Sequence, residues 1–173
     1  RGTIQIRHVR FQNNQPIGAV GLRLSSFTCS ALELIDVQFR DNECNNYCRA
    51  VLSRRNTLRR IEIERNIQSG EVKDIPVILH APPDSETTAR RIRARSNTGS
   101  IFLVEEGSLT ISDSTFSNNS ANHTNREDVA FGAGINLLES SAVTEDCTFR
   151  GNDVNFGDAV FARQSDLTLN RRF

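Results

Sequence analysis

Methionine and tryptophan are absent, tyrosine occurs once and proline four times in 173 residues. Without methionine, Arg1 is not a natural start, and the expectation is a processed chain or an internal piece of a longer protein. Lysine is almost missing too: Lys73 is the one lysine among 21 basic residues, against 21 acidic ones. A net charge of zero gives no electrostatic footprint for nucleic acid. No apolar run approaches the roughly 18 residues of a membrane-spanning helix. Asn-Gly and Asp-Gly, the strongest two-residue hairpin signals, occur nowhere, which argues against a sandwich of neighbouring hairpins. A 3.6-residue apolar period is lacking as well. Hydrophobic residues still make up 37% of the chain, enough to exclude a disordered tail.

What is present is a repeat. Phenylalanine followed three residues later by asparagine occurs at Phe11–Asn14, Phe39–Asn42, Phe116–Asn119 and Phe149–Asn152. Degenerate copies, Ile63–Asn66 and Ala94–Asn97, fill the gap, and Phe173 stands where a seventh would start. Successive spacings are 28, 24, 31, 22, 33 and 24 residues, averaging 27. An alternating strand leads into the Phe position, as in Leu32-Glu33-Leu34 and Leu109-Thr110-Ile111. A shorter apolar run precedes it, as in Ala50-Val51-Leu52 and Ile101-Phe102-Leu103-Val104. Short strands at a long period predict an all-β solenoid in which each strand pairs with its equivalent one period later. Parallel crossovers are right-handed in nearly all cases. The expected fold is therefore a right-handed parallel β-helix of six to seven coils, a single segment over residues 1–173 without a cap at either end.

Stacking these copies predicts columns. Phe11, Phe39, Ile63, Ala94, Phe116, Phe149 and Phe173 form an inward column, thinned into a less regular waist at Ile63 and Ala94. Asn14, Asn42, Asn66, Asn97, Asn119 and Asn152 form a turn column, because asparagine tolerates left-handed backbone and its amide can bond the turns above and below. Glu62 falls beside Arg93, Glu64 beside Arg40 and Arg95, and Asp41 beside Arg65. Opposite charges so placed contribute roughly 0.2–1 kcal/mol per pair.

The chain resembles the right-handed parallel β-helices of the pectin-lyase-like kind. Its Phe-x-x-Asn copies resemble the repeats of polymorphic outer membrane proteins, which pair that motif with Gly-Gly-Ala-aliphatic. Here the second motif survives as Ile17-Gly18-Ala19-Val20, Gly132-Ala133-Gly134-Ile135 and Gly157-Asp158-Ala159-Val160. The resemblance implies an extracellular or cell-surface setting and often adhesion. The expected role is a non-catalytic structural rod in an appendage, filament, matrix or adhesin stalk. Its partners would be neighbouring coils of the same long protein or other surface subunits. The alternatives are a polysaccharide lyase or hydrolase with its site outside these residues, and a glycan- or receptor-binding module.

Candidate sites follow. The position three before Phe reads His8, Asp36, Arg60, Arg91, Asp113, Asp146 and Asn170. Asp113 and Asp146 fall on neighbouring copies, but two carboxylates without a third ligand suit a solvated polar column better than a cation site. Asn-Thr-Asp, paired Asp-Asp and Gly-His-Gly, motifs of related hydrolases, are absent, and no cofactor is implied. Arg59, Arg60, Arg90 and Arg91 form a patch for an acidic glycan or neighbour, unless nearby Glu62, Glu64, Glu71 and Asp74 offset it. Cys44 and Cys48 are a candidate disulfide in one loop, Cys147 points inward as a buried thiol, and Cys29 has no assigned partner. Asn118 and Asn122 head glycosylation sequons. His8, His80 and His123 make no metal or nucleophile pattern. The loops 43–48, 67–75 and 120–130 are a candidate partner surface.

Overall fold

The structure is a computed structural model, and it describes residues 2–14, 29–44, 50–68, 77–121, 132–154 and 159–171. Those residues hold strands and no helix. The largest sheet runs in chain order through Gly2–Arg7, Cys29–Ile35, Arg55–Glu64, Glu86–Arg95, Ser108–Ser112, Ser141–Glu145 and Asp166–Asn170, every neighbouring pair parallel. The Phe-bearing strands Arg10–Gln12, Gln38–Arg40, Thr115–Ser117 and Thr148–Arg150 belong to the same sheet. A second parallel sheet takes Ala50–Val51, Val77–Ala81, Ser100–Glu105, Ile135–Leu138 and Val160–Arg163, again in chain order. A narrow third ribbon joins Glu43–Cys44 to Ile67–Gln68, then through Thr98 to Ser120–Ala121 and Asp153–Val154. The arrangement is all-β, parallel throughout the named strands and compatible with a β-solenoid.

Alternation explains the core. Leu32, Leu34, Leu58, Ala89, Leu109 and Ile111 point inward from the first sheet and are buried. Leu79, Phe102, Val104, Ile135 and Leu137 meet them from the second in one apolar cluster. Each fully buried Leu, Ile or Phe contributes roughly 1.5–3 kcal/mol. The registers pair Phe11 with Phe39, Phe39 with Ile63, Ile63 with Ala94, Ala94 with Phe116 and Phe116 with Phe149. Rings stack at each end of the column, 5.1 Å apart for Phe11–Phe39 and 4.9 Å for Phe116–Phe149.

The expected irregular waist is not there. Arg55–Glu64 and Glu86–Arg95, which carry Ile63 and Ala94, are the two longest strands at 10 residues each, paired in one constant register on both sides of the Arg60–Arg91 corner. Backbone pairing does not depend on the size of the inward side chain. Phe102, from the second sheet, is fully buried and meets Phe116 edge to face at 6.4 Å, adding aromatic volume near the thin stretch.

The corners correct a second expectation. Left-handed backbone falls one residue before the repeated Asn, at Asn13, Asp41, Arg65, Ser96, Asn118 and Gly151. Two further left-handed columns mark the other bends: His8, Asp36, Arg60, Arg91, Asp113 and Asp146, then Asp84, Glu106, Glu139 and Gln164. Such φ values cost an L-residue on the order of 1–2 kcal/mol. In each column, N–H groups of the bent residues donate to a carbonyl of the following unit, as in Asp36 to Arg59 at 3.0 Å, Asp41 to Glu64 at 3.0 Å and Glu106 to Leu138 at 2.9 Å.

Freed from the bend, the Asn side chains do something else. Asn66 Nδ2 donates to Asn97 Oδ1 at 2.9 Å and to the Phe39 carbonyl at 2.9 Å. Asn66 Oδ1 accepts from the Asn42 backbone N–H at 3.3 Å and from Asn42 Nδ2 at 2.7 Å. Asn42, Asn97 and Asn119 repeat this four-bond pattern. An amide has two donors and two acceptor lone pairs, so each of these buried side chains is fully satisfied.

Asn97→Ala should cost about 3 kcal/mol, because it strands buried partners on both sides. Asn14→Ala, at the exposed end of the column, should cost less than about 1 kcal/mol. Urea unfolding of both variants checks this; equal losses would mean the ladder adds nothing beyond a local turn.

Candidate functional site

Two grooves on the described surface each lie at a column of left-handed corners. The first, about 450 Å³, is lined by Asp36, Gln38, Arg60, Glu62, Arg91 and Arg93. Arg60 donates to both Asp36 oxygens, through Nη2 at 2.8 Å and through Nε. That guanidinium holds the Asp36 carboxyl below its ordinary 3.8 despite the opposing pull of desolvation. His8 Nδ1 adds a weaker contact to the same carboxylate at 3.5 Å. Arg65 does the same for Asp41, donating at 2.6 and 3.0 Å and lowering its pKa.

Beside the groove, register assembles a denser cluster around Glu64. It stands directly opposite Arg40 on one side and Arg95 on the other. Glu64 is 5% exposed and faces three arginines: Arg95 at 2.7 Å, Arg65 in a short contact, and Arg40 Nε at 3.5 Å, an ion-pair distance without hydrogen-bond geometry. Glu62 bonds Arg40 and accepts from Gln38 at 3.0 Å, and it is register partner to Arg93.

The four arginines of the sequence patch divide. Arg60 is tied to Asp36, and Arg90 Nε donates to Asp113 at 2.7 Å. Arg59 and Arg90 stand opposite each other as like charges. Arg59, Arg91 and Arg93 are exposed and have no ion pair among the described residues. Asp113 and Asp146 occupy one corner column, where the Asp113 N–H reaches the Glu145 carbonyl at 3.1 Å. Among the described residues no three His, Cys, Asp or Glu converge as metal ligands, and no helix is long and apolar enough to cross a membrane.

The remaining candidates are scattered. Cys147 is a half-buried free thiol whose Sγ lies 3.4 Å from the Glu145 carbonyl, and burial pushes its pKa up. Asn118 is exposed at a left-handed corner, while its neighbour Asn119 is buried in the ladder. Asn122, Cys48, His123, Phe173, Glu71, Asp74, the Ile17–Val20 motif copy and most of the loops 43–48, 67–75 and 120–130 lie outside the described residues. So do the side chains of Cys29 and Cys44. His80 is buried with Nε2 2.6 Å from Glu105, and its Nδ1 has no hydrogen-bond partner.

The second groove, about 600 Å³, escaped the sequence reading. It crosses the third corner column and is lined by Asp84, Glu86, Glu106, Glu139 and Asp166 above a floor of small residues, Ser85, Gly107, Ser140 and Ser165. Ser140 Oγ accepts from the Gly107 N–H at 3.2 Å, and Ser165 Oγ from the Ser140 N–H at 3.0 Å, a second and shorter ladder. The signal was a polar–Ser/Gly–polar triplet before each alternating strand: Asp84-Ser85-Glu86, Glu106-Gly107-Ser108, Glu139-Ser140-Ser141 and Gln164-Ser165-Asp166. No protein-family model, curated protein or solved structure matches the chain.

Glu64→Ala should destabilise by about 3 kcal/mol, since it removes the buried anion on which three guanidinium groups converge, although Arg40 keeps Glu62 and Arg65 keeps Asp41. Arg95→Ala, 62% exposed, should cost less than about 1 kcal/mol. Thermal unfolding of the two variants separates them, and similar shifts would deny Glu64 its central place. Asp36 and Asp41 set an acid limb. Their folded pKa values are depressed, so their contribution is present above 3.8 and is lost as pH falls through the lower folded values. Asp36→Asn/Asp41→Asn should therefore lose less stability than wild type between about pH 4 and pH 2. Parallel acid limbs in urea titrations would refute this.

Proposed function

We propose that the chain is a right-handed parallel β-helix of six to seven coils averaging 27 residues, of the pectin-lyase-like kind, serving as a structural rod in an extracellular or cell-surface protein. The observation that supports this reading is the chain-order parallel pairing of both main sheets together with the Asn ladder. Every unit makes the same contacts to the next, so the architecture extends in one direction by repetition. At the strand spacing of about 4.8 Å, six coils give a segment roughly 30 Å long. Its residues are spent on stacking: Asn amides, Phe rings and Arg–carboxylate pairs all bridge adjacent units. Right-handedness rests on the general preference of parallel crossovers. The Phe-x-x-Asn copies favour a setting in a filament, matrix, appendage or adhesin stalk.

A binding module is the second reading, favoured by one observation. Arg91 and Arg93 line a groove and lack ion-pair partners among the described residues, leaving two guanidinium groups able to meet an acidic glycan.

Electron microscopy of the intact parent protein from its native source tests the rod reading. Extended rods within a filament or surface layer are the expected result. Compact soluble particles would sink it and direct attention to polysaccharide cleavage, assayed with and without Ca²⁺. For the second reading, Arg91→Ala/Arg93→Ala should weaken retention on an acidic-glycan array roughly tenfold if the groove binds there, at roughly 1–3 kcal/mol for charge-assisted contacts. Unchanged retention would remove the groove from consideration.

A further inference from the structure

We infer that the acidic corner groove receives the arginine corner of a second copy of this chain, so that rods associate side by side. The inference builds on the rod reading above and adds how the rods would contact one another.

The groove presents Asp84, Glu86, Glu106, Glu139 and Asp166, all exposed. None is in an ion pair among the described residues. Asp84, Glu106 and Glu139 hold the same corner on successive units, with the Asp84 N–H on the Glu106 carbonyl at 3.0 Å and the Glu106 N–H on the Leu138 carbonyl. Like charges stacked at about 4.8 Å repel one another. An isolated chain keeps that repulsion, and a row of cations relieves it.

The floor supplies a separate sign. Ser85 is 3% exposed, and its hydroxyl has no hydrogen-bond partner. The equivalent hydroxyls of Ser140 and Ser165 each accept an N–H from the preceding unit. Ser85 Oγ has no such donor, and the residue that follows it in the column is Gly107. A Cβ built there would lie 2.9 Å from Ser85 Oγ, so the hydroxyl points into the notch that the missing side chain leaves in the groove floor. A guanidinium carries five donors in a planar fork, enough for a carboxylate and a hydroxyl together.

The complementary surface is on the same molecule. Arg59, Arg91 and Arg93 are the exposed cations without ion pairs near the other corner, and Arg59 faces Arg90 in register. Glu86 opens the strand Glu86–Arg95, and Arg93 stands near its far end. The straight run from Glu86 to Arg90 alone spans roughly 13 Å before the chain turns at Arg91, and the sheet holds the two corners apart. One molecule cannot close its own arginine corner on its own groove. The contact is therefore intermolecular and joins unlike surfaces, and such head-to-tail contacts propagate into open assemblies unless a rotation closes them.

Sedimentation velocity of the full chain at micromolar concentration tests this. Wild type should associate at about 50 mM salt and weaken at least tenfold at about 500 mM, as the screening length contracts. A groove-neutral variant, Asp84→Asn/Glu106→Gln/Glu139→Gln, and a corner-reversed variant, Arg91→Glu/Arg93→Glu, should each be monomeric alone. Mixed one to one they should form dimers and nothing longer, because each keeps one intact half. All these positions are exposed, and far-UV circular dichroism confirms that both variants fold. The single Glu106→Gln change, milder still, should weaken association roughly threefold. A monomeric wild type at low salt, or a groove-neutral variant that assembles like wild type, would overturn the inference. Isolated rods in micrographs would overturn it too while leaving the rod reading intact; salt-sensitive assembly of compact particles would do the reverse.

Discussion

The hydrogen bond from the N–H of a bent corner residue to a carbonyl of the following unit is what the rest of the structure depends on. Fifteen non-glycine residues among those described hold φ between 47° and 58°. Seven of them are not the residues a tight turn prefers: Arg60, Arg65 and Arg91, for example, sit there beside Asp and Asn. A bend that is unfavourable for one unit becomes tolerable when it aims its N–H at the next. Only then do the flat strands between corners line up in register and face their inward side chains toward one core.

Stacking turns residue identity into column identity. A phenylalanine at one position meets a phenylalanine 28 residues on, and an asparagine meets an asparagine. For neutral groups this repetition is favourable, since amides chain their bonds and rings stack. For charged groups it is a constraint, because the same residue type on successive units repels itself. Around Glu64 the sequence escapes by alternating sign, Arg40, Glu64, Arg95, and buries the middle charge among three cations. At Arg59–Arg90 and at Asp84–Glu106–Glu139 it does not alternate. These columns fall at different corners and have opposite sign, and of their described residues Arg90 alone has an ion pair, with Asp113. They are the places where the regular fold leaves interaction energy unused.

The serines of this column meet different fates. Ser85 Oγ has no hydrogen-bond partner, whereas Ser140 and Ser165 each accept an N–H from the unit before. Asn56 interrupts the inward apolar column but is satisfied locally, accepting from the Ser53 N–H at 2.7 Å and donating to the Ser53 carbonyl and to Thr87. A buried polar group inside such a stack thus either finds a partner within its own turn or depends on the unit beside it.

Sequence alone determined the spacing of the units, the inward and outward alternation, and the pairing of Phe11 with Phe39 and of Glu64 with Arg40 and Arg95. Those follow from a period-2 pattern repeated at a fixed chemical landmark, which is local information. It also drew attention to the Asn positions, though for the wrong reason: tolerance of left-handed backbone pointed one residue too far along. The tertiary structure decided what the Asn side chain does, because its four hydrogen bonds go to the units before and after its own. It decided that Ile63 and Ala94 sit in the longest strands, since backbone pairing is indifferent to the size of the inward side chain. It also gathered the acidic groove, whose residues recur at 22, 33 and 25 positions without any single conspicuous residue to mark them. Charge that accumulates only through stacking is invisible along the chain, where each carboxylate has ordinary neighbours. It becomes a surface once successive turns are hydrogen-bonded together.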